Sequence, residues 1–366
     1  MGTRVIATVD RRALRHNLAV ARARAPQSRV LAVIKANAYG HGLVACAEAL
    51  VEADVFGVTD IDEAEQLRKA GCRQDVLIMQ GLIEEPDARR VLDAGFQLVI
   101  HRREQIGWLE QAVVRQRPRA PLTLWLKLET GMGRLGLATT ELSDLFASLR
   151  RQSWVADVVL MTHLASATMP DAPLNDRQLL QFARACQPLA EQAPQTSIAA
   201  SASLLALDCS GDIVRPGLLL YGISPFAWSD LSRRPTHFDL RPAMTLEARL
   251  ISIRQQQAGD SIGYNSKFVC PAPMTVGIVS AGYADGYPVT APNGCPVLVG
   301  GRRSRTLGRV SMDMLAIDLT DLPAKVGDLV TLWGPQLPLE EVADHCGLIP
   351  YALLTALGPR VRREYR

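Results

Sequence analysis

Cationic side chains follow several short apolar segments of the sequence, and their positions suggest chemistry on an anion. Lys35 follows VLAVI, Lys127 lies in LTLWLKL, and Arg215 comes directly after a short apolar segment. His163 follows VVLMT, and Arg134 lies a few residues beyond Lys127. Like charges repel each other in a partly dry site, so these groups can converge only where an anion is bound. The pattern therefore predicts a site for an anionic substrate or cofactor.

The segments that must position these residues alternate between short apolar runs and longer runs with helical periodicity. Helical spacing of apolar residues predicts helices such as Leu43–Glu52, Ile61–Ala70, Pro86–Ala94 and Asp176–Gln192. Such alternation predicts a parallel sheet, and eight units favour a closed (β/α)8 TIM-type barrel over an open doubly wound sheet. The eight predicted strands are Val30–Ile34, Val55–Thr59, Val76–Met79, Gln97–Ile100, Leu122–Leu128, Val158–Met161, Ser197–Ala200 and Ile213–Arg215.

The pattern changes after about residue 230. A polar, proline-containing segment at 229–242 is typical of a linker, and it is followed by strand-like runs with turn residues between them. We therefore expect a barrel domain over 1–232 and a mostly-β domain over 233–366. The predicted elements of the second domain are strands at Met244–Ile253, Met274–Ser280, Pro296–Gly300, Met314–Leu319 and Asp328–Trp333, and a helix at Leu339–Cys346.

Composition excludes several classes of protein. The 366 residues are 48% hydrophobic and 21% charged, as in soluble globular enzymes. The net charge of +3 is too small for electrostatic binding of nucleic acid or a membrane surface, and we expect the basic tail Arg360–Arg366 to be solvated. Seven scattered cysteines suit thiols in a reducing compartment and favour neither disulfides nor a metal site. Without a signal peptide or an apolar membrane span, the sequence predicts a cytoplasmic protein.

The loops after the last two predicted barrel strands contain small residues, as a phosphate cradle requires. They read Ala-Ser-Ala around Ser201 and Arg-Pro-Gly-Leu from Arg215 to Leu218. Barrels commonly hold phosphate in these two loops. A lysine across the rim, at Lys35, then suggests pyridoxal 5′-phosphate bound as a Schiff base. A sugar-phosphate substrate would explain the cradle equally well.

Several longer motifs resemble those of the alanine racemase family. They are AVIKANAYGHG around Lys35, WLKLETGMGRLG, which contains Lys127 and Arg134, VRPGLLLYG around Arg215, and GYADGYP with GRVSMDML. The resemblance runs from Val30 to the C-terminus in the same order. It implies a pyridoxal-phosphate-dependent isomerase that interconverts L- and D-alanine, for cell-wall synthesis or alanine catabolism. It also implies a homodimer whose subunits share active sites.

The resemblance implies two bases, one on each face of the alanine Cα. Lys35 is one base and also carries the cofactor, and Tyr264 from the second subunit is the other. Both side chains have ordinary pKa values near ~10, so the site must favour their deprotonated forms. His163 is implied to link Tyr264 to Arg215, and Arg215 to face the pyridine nitrogen. Because a guanidinium does not give up its proton, the ring nitrogen would stay unprotonated.

The remaining assignments come from the same resemblance. Arg134 contacts the phenolic oxygen of the cofactor and lies at the substrate. Lys127 is implied to be carbamylated, which turns its ammonium into an anion able to orient Arg134. Cofactor-contacting positions at the phosphate are Tyr39, Ser201, Gly217, Leu218 and Tyr351, and substrate-side positions from the partner subunit are Tyr283, Met312 and Asp313.

Several positions depart from the common family pattern, among them the segment YALLTAL near the C-terminus, which lacks a frequent Cys-Asn pair. Glu129 stands where aspartate is frequent, Ala200 where asparagine is frequent, and Val289 where arginine is frequent. None of these changes removes a proposed base, so we expect activity. His41, which follows the motif tyrosine, is expected to form a local hydrogen bond.

Other functions stay open at this point. A racemase of broader specificity would act on serine, lysine or arginine, whereas Tyr351 at the substrate end favours a small pocket. A non-catalytic pyridoxal-phosphate carrier would not need Tyr264. A basic-amino-acid decarboxylase would pair the pyridine nitrogen with a carboxylate, for which Arg215 has the wrong charge.

Overall fold

The computed structural model describes residues 4–366. The chain forms two compact units. One comprises Asn17–Ala38 and Cys46–Leu220 and is called the barrel unit below. The other comprises residues 4–16, Tyr39–Ala45 and Tyr221–Arg366 and is called the β unit.

The described residues contain eighteen strands, ten right-handed α-helices and several short 3-10 turns. The strands are β1 Val5–Val9, β2 Arg29–Val33, β3 Val55–Val58, β4 Asp75–Ile78, β5 Gln97–Ile100, β6 Leu122–Lys127, β7 Val155–Met161, β8 Thr196–Ser197, β9 Ile213–Val214, β10 Met244–Gln256, β11 Ser261–Ile262, β12 Phe268–Val269, β13 Met274–Val279, β14 Pro296–Val299, β15 Arg302–Leu307, β16 Leu315–Asp318, β17 Leu329–Trp333 and β18 Arg362–Tyr365. The helices are α1 Arg11–Arg24, α2 Leu43–Ala49, α3 Ile61–Lys69, α4 Glu85–Ala94, α5 Arg103–Arg115, α6 Leu142–Arg150, α7 Pro173–Cys186, α8 Ser201–Ala206, α9 Leu339–His345 and α10 Pro350–Thr355. The 3-10 turns are Thr139–Glu141, Gln187–Gln192, Leu218–Tyr221, Leu231–Arg233, Pro235–Phe238, Tyr264–Ser266 and Tyr283–Asp285.

The barrel unit is built on eight parallel strands in the order β8-β7-β6-β5-β4-β3-β2-β9. Its two end strands, β8 and β9, are followed by a parallel bridge between Ala200 and Arg215, which nearly closes the sheet into a barrel. Strands such as β3 and β5 are buried along their whole length, because both faces of a parallel sheet are covered. The (β/α)8 prediction is therefore confirmed, and the open doubly wound alternative is wrong.

Helix α3 illustrates how local sequence specifies the outer layer of the barrel unit. Ile61, Ala64 and Leu67 form its buried face at helical spacing. Asp60 caps the helix by accepting a hydrogen bond from the Asp62 backbone N–H at 2.9 Å. Acidic residues in the first turn and basic residues in the last turn complement the helix dipole.

The β unit contains a closed antiparallel ring, which confirms the predicted mostly-β architecture. The ring runs β13-β16-β15-β14-β17-β10 and returns to β13. Closure depends on the long strand β10, whose first half pairs with β17 and whose second half pairs with β13. A bulge between Leu250 and Ser252 accompanies the change of partner. Alternate residues from Met244 to Leu250 are buried, as expected for a strand with one face in the core.

Two strands at the chain ends were not predicted. β1 pairs antiparallel with β10 and parallel with β18, so both termini extend the sheet of the β unit. Arg360, Arg362 and Arg366 in the basic tail are exposed, as predicted, although part of the segment forms strand β18. Arg363 explains why such a basic segment can pack, because its guanidinium donates to the carbonyls of Gly40 at 2.6 Å and Leu357 at 2.9 Å.

All seven cysteines are free thiols, as predicted. Two of them, Cys295 and Cys346, nevertheless bring their sulfur atoms to 3.7 Å. None of the helices in the described chain is long and apolar enough to cross a membrane.

Candidate functional site

The carboxyl ends of the barrel strands bring together the cations singled out by the sequence. Lys35 follows β2, Lys127 is the last residue of β6, His163 lies two residues beyond β7, and Arg215 directly follows β9. Burial lowers the pKa of Lys35, and the nearby positive charge of Arg134 lowers it further. A lowered amine pKa increases the fraction of the nucleophilic, basic form of Lys35.

Lys127 lies deepest among the lysines of this cluster, with 7% of its surface exposed. Burial lowers its pKa to about 8, and the charges of Arg134, Arg215 and Lys35 contribute, against an opposing effect of Glu129. About one tenth of these side chains are therefore uncharged amines at about pH 7, far more than for an ordinary lysine.

His163 is held in its neutral form by the same surroundings. Burial lowers its pKa to about 3, reinforced by the positive charges of Arg215, Lys127, Arg134 and Lys35. A neutral imidazole can donate one hydrogen bond and accept another. It is therefore suited to connecting two other groups without adding a further positive charge.

Arg215 is almost entirely buried and its guanidinium is held by three acceptors. It donates to Ser197 Oγ at 2.5 Å, to the Thr162 carbonyl at 2.7 Å and to the Ile198 carbonyl at 3.1 Å. Burial lowers its pKa to about 10, so it remains a cation at neutral pH. All three acceptors are neutral oxygens, so the hydrogen bonds fix the orientation of Arg215 without cancelling its charge.

Glu129 organises the loop that carries Arg134. Its two carboxylate oxygens accept the backbone N–H groups of four successive residues, at 2.5 Å from Gly131, 2.6 Å from Met132, 3.0 Å from Gly133 and 3.3 Å from Arg134. Burial raises the pKa of Glu129, but the four hydrogen bonds together lower it by more. The longer glutamate side chain, a departure from the family pattern, thus spans the whole loop.

Sequence reasoning missed Gln178, a fully buried residue on α7. Its amide donates to the Thr130 hydroxyl at 3.2 Å and to the His163 carbonyl at 3.0 Å, and its oxygen accepts from the Ala165 N–H at 2.8 Å. Gln178 therefore ties the loops after β6 and β7 together. Only the inward position of a polar residue on an otherwise amphipathic helix could have indicated it.

The predicted phosphate cradle is a connected structure within the barrel unit. Ser201 is buried, and its hydroxyl oxygen accepts the backbone N–H groups of Gly217 at 2.9 Å and Leu219 at 3.2 Å. The loops after β8 and β9 are thereby joined at the position predicted from sequence. Because the oxygen accepts these two bonds, the hydroxyl proton of Ser201 can be donated outward.

The segment that follows Lys35 has an unusual backbone. Ala36, Asn37, Ala38 and Tyr39 all have φ between 50° and 54°, which makes Lys35–Tyr39 a left-handed turn. Left-handed geometry costs about 1–2 kcal/mol for a residue with a Cβ, so Ala36, Ala38 and Tyr39 together store roughly 3–6 kcal/mol, whereas asparagine adopts this geometry more readily. Such strain persists only where surrounding contacts hold it.

Tyr39 and Tyr351, both predicted at the phosphate, lie close together in the β unit with ring centroids 5.7 Å apart. Burial raises the pKa of Tyr39 well above its ordinary value, and Tyr351 raises it further. Burial also raises the pKa of Tyr351, so both phenols stay protonated donors. His41 contacts the Tyr39 carbonyl through Nδ1 at 2.9 Å, which confirms the predicted local hydrogen bond.

The residues predicted to act on a partner subunit are exposed on the β unit. Tyr264 lies in a 3-10 turn with 66% of its surface exposed, and Tyr283 and Met312 are also exposed. The loops around Tyr283 and Met312 are joined by backbone hydrogen bonds, including one of 3.0 Å from the Ala284 N–H to the Met312 carbonyl. Asp313 forms an ion pair with Arg360 at 2.6 Å.

This chain combines a parallel (β/α)8 barrel, a cluster of cations around a lysine at the strand ends, and an antiparallel β unit with exposed polar and aromatic loops. These features are typical of a barrel enzyme that binds an anionic cofactor through a lysine. The chain belongs to the alanine racemase family. Residues 9–225 match the alanine racemase N-terminal domain, and residues 243–365 match the alanine racemase C-terminal domain.

Individual alanine racemases are similar to this chain along its whole length. The alanine racemase of Halorhodospira halophila is 46% identical over 362 residues, which cover 98% of this chain and 96% of that protein. The structure of the biosynthetic alanine racemase from Pseudomonas aeruginosa is 42% identical, with a TM-score of 0.92 and full coverage of both chains. The alanine racemase from Bartonella henselae, solved with covalently bound pyridoxal phosphate, is 30% identical with a TM-score of 0.87, again over both full chains.

Proposed function

We propose that this chain is an isomerase that interconverts L-alanine and D-alanine with pyridoxal 5′-phosphate as cofactor. The observation that carries the proposal is the convergence of Lys35, Lys127, Arg134 and Arg215 at one end of the barrel, in a member of this family. Four cations in a partly buried site repel one another unless an anion lies among them, and the phosphate-bearing cofactor implied by the family is such an anion.

The side chains fit pyridoxal phosphate by charge and by geometry. Glu63 and Glu129 are the carboxylates that influence the pKa values of this cluster, and both are already bound to backbone N–H groups. An anionic cofactor would balance the remaining positive charge. The joined loops at Ser201 and Gly217 suit a phosphate, and a lysine of lowered pKa suits covalent attachment.

Each side of the cofactor has a proposed partner in the chain. Lys35 would hold it covalently, Arg134 would contact its phenolic oxygen, and Arg215, with its protons retained, would face the ring nitrogen. His163 would connect Arg215 to the second base. The phosphate would be held by Tyr39, Ser201, Gly217, Leu218 and Tyr351.

When bound, pyridoxal phosphate supplies an electron sink that stabilises negative charge on the Cα of an amino acid. The protein must then move one proton on each face of that carbon. Lys35 takes or returns the proton on one face, helped by surroundings that lower its pKa. Tyr264 of a second copy does so on the other face, and its exposure in the β unit makes it available to a partner.

The proposal includes a homodimer with shared active sites. In it, the segment 1–232 holds the cofactor with the help of Tyr351, and the segment 233–366 supplies Tyr264, Tyr283, Met312 and Asp313 to the partner. Free D-alanine would serve cell-wall synthesis, or the reverse reaction would serve alanine catabolism. A cytoplasmic location, suggested by the scattered free cysteines, stays a prediction.

Lys127 is proposed to be carbamylated. Its uncharged amine would add carbon dioxide and release a proton, which replaces a cation with an anion beside Arg134. The lowered pKa of Lys127 supports this step because only the free amine reacts.

The test is exchange of the Cα hydrogen in D₂O, with L-alanine as substrate and with serine and lysine for comparison. We expect deuterium incorporation with inversion to D-alanine, and much slower reaction of the other two amino acids. Exchange with retention would mean that Lys35 works alone, which contradicts the role of Tyr264. Cofactor binding without exchange would favour the carrier function, and Lys35→Ala should remove covalent attachment, measured by protein mass.

A further inference from the structure

Glu63 lies on helix α3 in the outer layer of the barrel unit, but its side chain forms hydrogen bonds with the segment after Lys35. It belongs to the first turn of α3, where Asp60 already provides the helix cap. The carboxylate of Glu63 instead accepts backbone N–H groups from the left-handed turn after Lys35. Its Oε1 is 2.7 Å from the Asn37 nitrogen and its Oε2 is 3.3 Å from the Ala36 nitrogen.

We infer that Glu63 is a positioning residue for Lys35, which it aims by holding the left-handed turn with both carboxylate oxygens. This inference rests on the proposed function, because it assumes that Lys35 is the base. Glu63 itself touches neither substrate nor cofactor in the proposal.

Backbone geometry provides the first argument. Successive residues with left-handed φ and ψ direct their N–H groups to one side, where an anion can bind them together. The N–H of Ala36 belongs to the peptide group that joins it to Lys35. Fixing that peptide plane therefore fixes the backbone from which the Lys35 side chain starts. The strain in Ala36, Asn37 and Ala38 means that this arrangement needs such a partner.

Charge provides the second argument. The positive charge of Arg134 disfavours the ammonium form of Lys35, and the charge of Lys35 in turn lowers the pKa values of Lys127 and His163. Glu63 is the carboxylate that opposes Arg134, since it raises the pKa of Lys35. The pKa of Glu63 itself is raised by burial and by Asp60, but lowered by its two backbone hydrogen bonds and by Lys35. Glu63 thus influences both the direction and the protonation of the proposed base.

The test compares Glu63→Gln with a matched control, Glu65→Gln, in the cofactor-loaded enzyme. Glu65 lies on the same helix but pairs with Arg90 at 2.8 Å, away from the turn. In Glu63→Gln the charge is lost, and the amide NH₂ cannot accept a backbone N–H. We expect kcat for alanine to fall by about 10- to 100-fold, the scale expected for a misplaced catalytic group, with a smaller change in KM.

The pH dependence separates positioning from a purely structural role. Removing the negative charge of Glu63 should lower the pKa of Lys35. The acidic limb of the pH profile, where the rate of Cα hydrogen exchange falls because Lys35 becomes protonated, should therefore move to lower pH. Glu65→Gln should leave both kcat and the limb unchanged. A Glu63→Gln enzyme with normal kcat and an unmoved limb would overturn the inference, even if its thermal stability fell. Failure of the unmodified enzyme to racemise alanine would instead overturn the proposed function.

Discussion

The carbamylation of Lys127 can be tested by its dependence on carbon dioxide. With a pKa of about 8, roughly one fifth of the Lys127 side chains are free amine at about pH 7.4. An unperturbed lysine, with a pKa near 10.4, is a free amine in about one molecule in a thousand. The surroundings of Lys127 therefore raise the concentration of the reactive form by about two orders of magnitude.

Reaction of that amine with carbon dioxide forms an N–C bond and releases one proton to solvent. The side chain changes from a cation or neutral amine to an anion, so its interactions with Arg134 and Arg215 change from repulsive to attractive. The reaction should therefore be more favourable at Lys127 than at an exposed lysine such as Lys69.

The assay is carbon-13 NMR of the protein equilibrated with labelled bicarbonate. We expect a carbamate signal that disappears in Lys127→Gln and persists in Lys69→Gln. Lys127→Glu retains an anion and should keep more racemase activity than Lys127→Gln. Absence of the signal at saturating bicarbonate, or full activity of Lys127→Gln, would refute the reasoning.

Three further predictions concern the proposed site. Tyr264→Phe should keep the cofactor attached but lose racemisation, with greater damage to proton removal from L-alanine than from D-alanine; equal loss in single-turnover exchange would contradict the face assignment. Arg215→Lys loses part of a buried network of three hydrogen bonds, so denaturant titration should show a free energy of unfolding lower by about 1–3 kcal/mol. The pKa of His163 is about 3 when folded and near 6.5 when unfolded, so the unfolded state binds more protons between these values. Stability of the apoprotein should therefore fall as pH falls through this window, by up to ~1.4 kcal/mol per pH unit, and His163→Gln should flatten that slope.

Much of the barrel could be predicted because its signals are local. Buried parallel strands appear as short apolar runs, and the covering helices appear as segments with apolar residues at helical spacing. All eight barrel strands occur at the predicted places, although β8 and β9 are only two residues long. β1 and β18 were missed because each depends on a partner far away in the chain.

The candidate site also contains residues that could be predicted from sequence and residues that could not. Residue types at the strand ends, among them Lys35, Lys127 and Arg215, were readable from sequence because a barrel places its strand ends on one rim. Glu63 could not be identified, since nothing local distinguishes it from other polar residues on an amphipathic helix, and the only local signal for Gln178 is its position on the inward face of α7.

The alternation that builds the barrel, the cations at its rim and the motifs of the alanine racemase family can all be identified in the amino-acid sequence. The left-handed turn after Lys35, the hydrogen bonds from that turn to Glu63 and the lowered pKa values of Lys127 and His163 appear only in the folded protein. Backbone strain and pKa values depend on burial and on distances between residues remote in the chain. Those quantities exist only once the chain has folded.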